Sequence, residues 1–156
     1  MATRATAAGA GRTRRTDRRR TPAQWYCLLA GLSLLLAGIA GFIADASFDT
    51  GDGIQGDELL SIFEVNGIHN LIHLASGVLL LAASPKRASA RAVAIGFGLV
   101  YGVVTIIGLI DGEDVLGLFP VNPADNVLHI VLTLAAFGAG LAPYRDRARA
   151  PSPRTA

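Results

Sequence analysis

The chain has 156 residues, 51% of them hydrophobic and 17% charged, with 18 Gly, one Cys and a formal net charge of +2. A single cysteine, Cys27, excludes an intramolecular disulfide framework, and four long apolar runs exclude an ordinary soluble domain. The basic balance does not argue for nucleic acid: Arg12, Arg14, Arg15, Arg18, Arg19 and Arg20 directly precede a membrane-length apolar run, where topology and anionic lipid headgroups account for them.

Residues 1–23 are mainly Arg, Thr and Ala, with too little large apolar surface to offset chain entropy, and are expected to form a disordered basic tail. The run Trp25 to Ala44 predicts the first helix, over about 25–44. Its basic flank and the triplet Ala44-Asp45-Ala46 resemble a cleaved leader, but the run exceeds the roughly 7–15 residues of a leader's apolar region, so it reads as a retained anchor. From Asp45 to Glu64 the chain is acidic and Gly-rich. Its Asp49-Thr-Gly-Asp52-Gly segment lacks the alternating oxygen ligands and closing Glu of an EF-hand, so a solvated loop is expected.

Further runs predict helices over about 66–83, 91–110 and 123–142, with Ser84 to Ala90 as a tight connection between the second and third. The four apolar runs, charged only at Asp125 near the start of the fourth, are 19 or 20 residues long, which at ~1.5 Å per residue matches a hydrocarbon core of roughly 30 Å. Residues 143–156 repeat the composition of the first tail and are expected to be disordered. The expected fold is therefore an all-α four-helix transmembrane bundle over 24–142. Positive charges alternate with the spans: seven Arg before the first, Lys86, Arg87 and Arg91 between second and third, and four Arg after the last. Since Lys and Arg stay on the cytoplasmic side, both termini are expected inside, in a multi-pass protein of the cytoplasmic membrane.

Small residues four apart, Ala37 and Gly41, Gly98 and Gly102, Ala136 and Gly140, predict close helix contacts. The most specific local signal is a repeat. Phe63-Glu-Val-Asn-Gly-Ile-His-Asn-Leu-Ile-His73 returns 56 positions later as Phe119-Pro-Val-Asn-Pro-Ala-Asp-Asn-Val-Leu-His129. Both copies open a helix running the same way through the membrane, so the bundle is expected to be two pseudo-symmetric hairpins about an axis along the membrane normal. At 100° per residue, Asn66, His69, Asn70 and His73 share one face of the second helix, and Asn122, Asp125, Asn126 and His129 one face of the fourth. These two polar stripes are expected to face each other, with Gly77 and Thr133 on the contact.

Asn66 and Asn122 fit helix caps, and Pro123 and Asp125 suit the first turn of the fourth helix. Asn70 and Asn126, a turn deeper, suit hydrogen bonds between helices. His73 and His129 lie seven residues past the caps, where unpaired polar groups are costly. Two readings of the histidines stand side by side, with proton transfer or the binding of a small polar molecule as a third. Neutral imidazoles hydrogen-bonded to amides or carbonyls satisfy the physics without a cofactor. Alternatively, His69 and His73, spaced i, i+4, together with Asp125 and His129 provide a four-ligand set for a transition metal, or a haem sits between His73 and His129.

The segments Phe-Glu-Val-Asn-Gly-Ile-His-Asn-Leu-Ile-His-Leu-Ala-Ser-Gly and Val-Asn-Pro-Ala-Asp-Asn-Val-Leu-His resemble the short four-helix bacterial membrane proteins catalogued as domain of unknown function 4383, over about residues 25–142. The resemblance implies fold and bacterial membrane location, and no activity, substrate or cofactor. Three functional classes stand open. They are a non-enzymatic structural or partner-binding membrane component, which the sequence favours, a metal- or haem-binding protein, and a small oligomeric transporter, for which the middle of each helix lacks an acid or cation. The partners expected are the bilayer, anionic headgroups at the Arg-rich tails, and a second copy or another membrane protein. No nucleophile beside a base is visible, which argues against an enzyme.

Overall fold

A computed structural model describes residues 19–143. The expected disorder of the tails falls almost wholly outside them. Eight elements follow in order: α1 (Pro22–Ala44), β1 (Asp57–Leu59), β2 (Phe63–Val65), α2 (Gly67–Ala83), α3 (Arg87–Asp111), β3 (Asp114–Val115), β4 (Phe119–Pro120) and α4 (Pro123–Leu141). The fold is helical with little sheet. Three of the helices, α1, α3 and α4, are long and apolar enough to cross a membrane, whereas α2, at 17 residues, is shorter. Large apolar side chains such as Leu36, Ile43, Val78, Leu99, Val103, Ile106 and Leu134 point outward, as a bundle solvated by lipid requires.

Local chemistry sets the helix ends. α1 starts at Pro22 because Thr21 and Gln24 form a capping box, Thr21 Oγ1 accepting from Gln24 N (3.2 Å) and Gln24 Oε1 from Thr21 N (3.1 Å). Gln24 then donates from Nε2 to Ser84 O (3.0 Å) and Pro85 O (2.9 Å), tying the α2–α3 turn to the start of α1. α3 begins at Arg87 and ends at Asp111, so charged residues beyond the apolar run join the helix at both ends. Gly112 closes it in the left-handed conformation (φ 87°).

The chain packs as two antiparallel pairs, α1 with α2 and α3 with α4. Gly31 lies against Leu80 and Leu81 at one end of the first pair, while Gly41 lies against Asn70 at the other. In the second pair Gly140 meets Ile95, Gly98 meets Ala136 and Phe137, and Gly108 meets Asn126. At Gly41 and Gly108 the approach is so close that a Cβ would collide with the Asn70 or Asn126 carboxamide, which explains small residues at these points. Between the pairs, Cys27, Ala30, Leu34, Leu80, Ala94, Phe97, Tyr101 and Ala136 form an apolar core in one half of the bundle. Tyr26 bridges it, its hydroxyl donating to Leu132 O (3.0 Å).

The expected solvated loop from 45 to 64 is corrected in part: its second half folds into the β1–β2 hairpin, and β3–β4 repeats that hairpin before α4. Leu60 and Ser61 (φ 58° and 55°) and, 56 positions on, Leu116 and Gly117 (φ 57° and 65°) occupy equivalent left-handed turn positions. Ile62 N donates to Leu59 O (3.2 Å) and Leu118 N to Val115 O (3.0 Å), so both tips close in the same way. Left-handed central residues match the twist of the flanking strands. The repeat therefore covers strand, turn, strand, cap and helix, well beyond the segment visible in the residues.

Asp45, just past α1, anchors this end. Burial acts to raise its carboxyl pKa, but the N–H groups of Ser47 (2.6 Å) and Asp57 (3.2 Å) donate to it and hold it below the usual carboxylate range.

Candidate metal centre

The two hairpins close over the ends of α2 and α4 by exchanging hydrogen bonds. Asn66 accepts at Oδ1 from His69 N (2.9 Å) and so caps α2, while its Nδ2 donates to Leu118 O in the other hairpin (3.4 Å). Asn122 does the same in reverse: its Oδ1 accepts from Asp125 N (3.0 Å) and its Nδ2 donates to Ile62 O (2.7 Å). Ile62 and Leu118 are equivalent positions of the repeat, so this is a two-fold exchange. Val65, Pro120 and Val121 are fully buried beneath it.

The backbone of Glu64 holds two residues that differ between the repeats. Glu64 N donates to Asp125 Oδ2 (3.0 Å), and Glu64 O faces His69 Nδ1 at 3.1 Å. His69 and Asp125 occupy equivalent positions of the repeat, one donating to the peptide of β2 and the other accepting from it. Asp125 Oδ2 also accepts from Asn122 N (3.1 Å), completing a capping box. Asn70 donates from Nδ2 to Asp45 O at the end of α1 (2.8 Å), and Asn126 from Nδ2 to Gly108 O near the end of α3 (3.2 Å). The asparagines thus pin each hairpin internally.

That pinning corrects one sequence expectation. α2 and α4 do not make the close contact through Gly77: a Cβ there would meet Leu35 N at 2.7 Å and Gly31 O at 2.9 Å, both in α1. Each of these helices packs closely with its own hairpin partner, and the long imidazoles reach across between them. The His69 ring lies 4.4 Å from that of His73 and 5.9 Å from that of His129, and His73 and His129 are 6.4 Å apart, between centroids.

All three histidines are buried, and one ring nitrogen from each lies within 4.8 Å of the others. His73 Nδ1 and His129 Nδ1 have no hydrogen-bond partner among the described residues, and His69 Nε2 makes no well-formed hydrogen bond, although the Pro120 carbonyl lies near the His69 ring. An unsatisfied nitrogen on each of three neighbouring buried imidazoles is costly unless something binds it. With Nδ1–H donated to Glu64 O, the lone pair of His69 sits on Nε2, the tautomer and orientation seen where a histidine ligates a metal. Asp125 lies outside this three-residue group, its Oδ2 committed to two backbone donors.

Two aromatic neighbours were not picked out as site residues in the sequence. Phe119, the first residue of the second repeat copy, lies 5.1 Å from His69 with its ring tilted by 40°, and Tyr101 meets His129 edge-on at 5.4 Å, with its hydroxyl donating to Ser76 Oγ (3.3 Å). Tyr101 and Thr105, a polar pair one turn apart in the apolar α3, were the only hint that this face of α3 looks into the bundle.

A helical bundle with membrane-length spans, built as two hairpins around a buried cluster of imidazoles, defines a small multi-pass membrane protein with a polar interior site. The chain belongs to the family described as domain of unknown function (DUF4383), which matches residues 24–142. No curated protein and no solved structure matches it.

Proposed function

We propose that the protein is a transition-metal-binding membrane protein whose ligands are His69 Nε2, His73 Nδ1 and His129 Nδ1. The observation that carries this reading is the gathering of three buried imidazoles, with one ring nitrogen of each within 4.8 Å of the others, in each of which a ring nitrogen lacks a well-formed hydrogen bond. Imidazole donors suit Zn, Cu, Fe and Ni. A tetrahedral ion with Zn–N bonds of ~2.0–2.1 Å needs nitrogens roughly 3.4 Å apart, so side-chain rotation has to close the present spread of up to 4.8 Å by about an ångström. The geometry favours a bare ion over haem, because a macrocycle between His73 and His129 would have to displace the His69 ring, 4.4 Å and 5.9 Å from theirs.

The test is metal analysis of the full chain purified in mild detergent from metal-replete cells. About one transition-metal ion per chain is expected, falling to background in His129→Ala. Equal metal content in the two proteins, or none in either, removes the reading.

The same reading places the protein in a bacterial cytoplasmic membrane with both termini inside. Among the described residues, Arg19, Arg20, Lys86, Arg87 and Arg91 gather at the end bearing the start of α1 and the α2–α3 turn, while Asp45, Asp52, Glu64, Glu113 and Asp114 lie at the opposite end. Each cation near an anionic headgroup surface contributes ~1 kcal/mol. In intact cells, an impermeant thiol reagent should label a cysteine introduced at Asp52 or Glu113 and spare one at Arg4 or Arg154. The reverse pattern would invert the topology.

A further inference from the structure

Resting on the metal reading, we infer that the three-histidine centre keeps its fourth coordination position for a small monoanion from solvent, such as hydroxide or a halide. The donor set and its charge carry the inference. Within the described residues the cluster of candidate ligands is His69, His73 and His129 with no fourth member. Cys27 is remote, its Sγ contacting Ala90 O (3.4 Å) in the other half of the bundle. Asp125 is turned to the Asn122 and Glu64 N–H groups, and pulling it inward would uncap α4 and release β2.

Three neutral imidazoles leave a divalent ion with its full charge of two in a buried site, and an unbalanced buried charge is strongly unfavourable. One anionic ligand removes half of that charge. The Asp125 carboxylate, one helical turn before His129, balances the remainder without touching the ion. A metal site with three protein ligands and an exchangeable fourth is the arrangement that leaves the ion chemically active, as a Lewis acid or as a carrier of a bound nucleophile.

Cobalt(II) and azide test this on the full chain in detergent. Cobalt should give visible bands that His129→Gln abolishes, with the helical circular dichroism of that variant showing that it still folds. Overnight equilibration with azide should then shift the bands saturably, at one azide per cobalt. Histidine-dependent cobalt bands that azide does not move would mean that the protein fills the fourth position; the inference then fails while the metal reading stands. Absence of any histidine-dependent cobalt band removes the metal reading and this inference together.

Discussion

His129→Leu is expected to leave the metal-free protein at least as stable as the parent, and to erase its stabilisation by zinc. His129 Nδ1 has no partner in the bundle, so an apolar side chain of similar volume removes a desolvated polar atom and loses no hydrogen bond of that nitrogen. Zinc binding to the folded parent adds about 2.7 kcal/mol at a free concentration one hundred times the dissociation constant, and one lost ligand of three should remove nearly all of it. Unfolding followed in detergent by circular dichroism, with chelator and with zinc, measures both quantities for parent and variant. If the histidines were structural hydrogen-bonding groups, the variant would be destabilised with chelator present and zinc would change neither protein. That outcome would sink the metal reading.

Removing the Asp125 carboxylate should cost more than removing an imidazole. Asp125→Ala leaves Asn122 N and Glu64 N without acceptors. Loss of a cap interaction costs about 0.5–2 kcal/mol and a buried orphan donor about 1–3 kcal/mol, so a loss of about 2–4 kcal/mol is expected in the same unfolding measurement. Asp125→Asn, which retains one oxygen acceptor, should lose less. The effect should also reach the metal: Glu64 O orients His69, and Glu64 is held through its N–H by Asp125. Loss of such an outer support lowers metal affinity roughly 10–100-fold, so Asp125→Ala should weaken zinc binding even where the protein remains folded. An Asp125→Ala protein with unchanged stability would show that the exchange of hydrogen bonds between the two hairpins does not hold the site closed.

The residues by themselves determined the four helices, the pairing of helices into two repeated units and the caps of α2 and α4. Each of these depends on local quantities: the length of an apolar run, an Asn three residues before its backbone partner, and a motif repeated at fixed spacing. They also marked His69, His73 and His129 as the groups needing explanation, because an imidazole inside an apolar helix has few ways to be satisfied. The division of labour on each polar stripe was not legible there. Helical spacing puts Asn70, His73 and Gly77 on one face, yet Asn70 binds the end of α1, Gly77 packs on α1, and the imidazoles alone cross to α4's side of the bundle. Side-chain reach decides this: a glycine serves the nearest backbone, a short amide the adjacent helix end, and an imidazole the space between pairs. The short hairpins escaped the sequence reading because strands of two or three residues show no alternation, and left-handed turns at Leu60, Ser61 and Leu116 run against residue preference. Only the tertiary structure, in which Asn66 and Asn122 reach the opposite turns and the peptide of Glu64 serves both His69 and Asp125, makes those hairpins the cover of a site and separates Asp125 from the three imidazoles. Contacts between groups some 50–60 positions apart are set by how the two pairs dock, which no local spacing encodes.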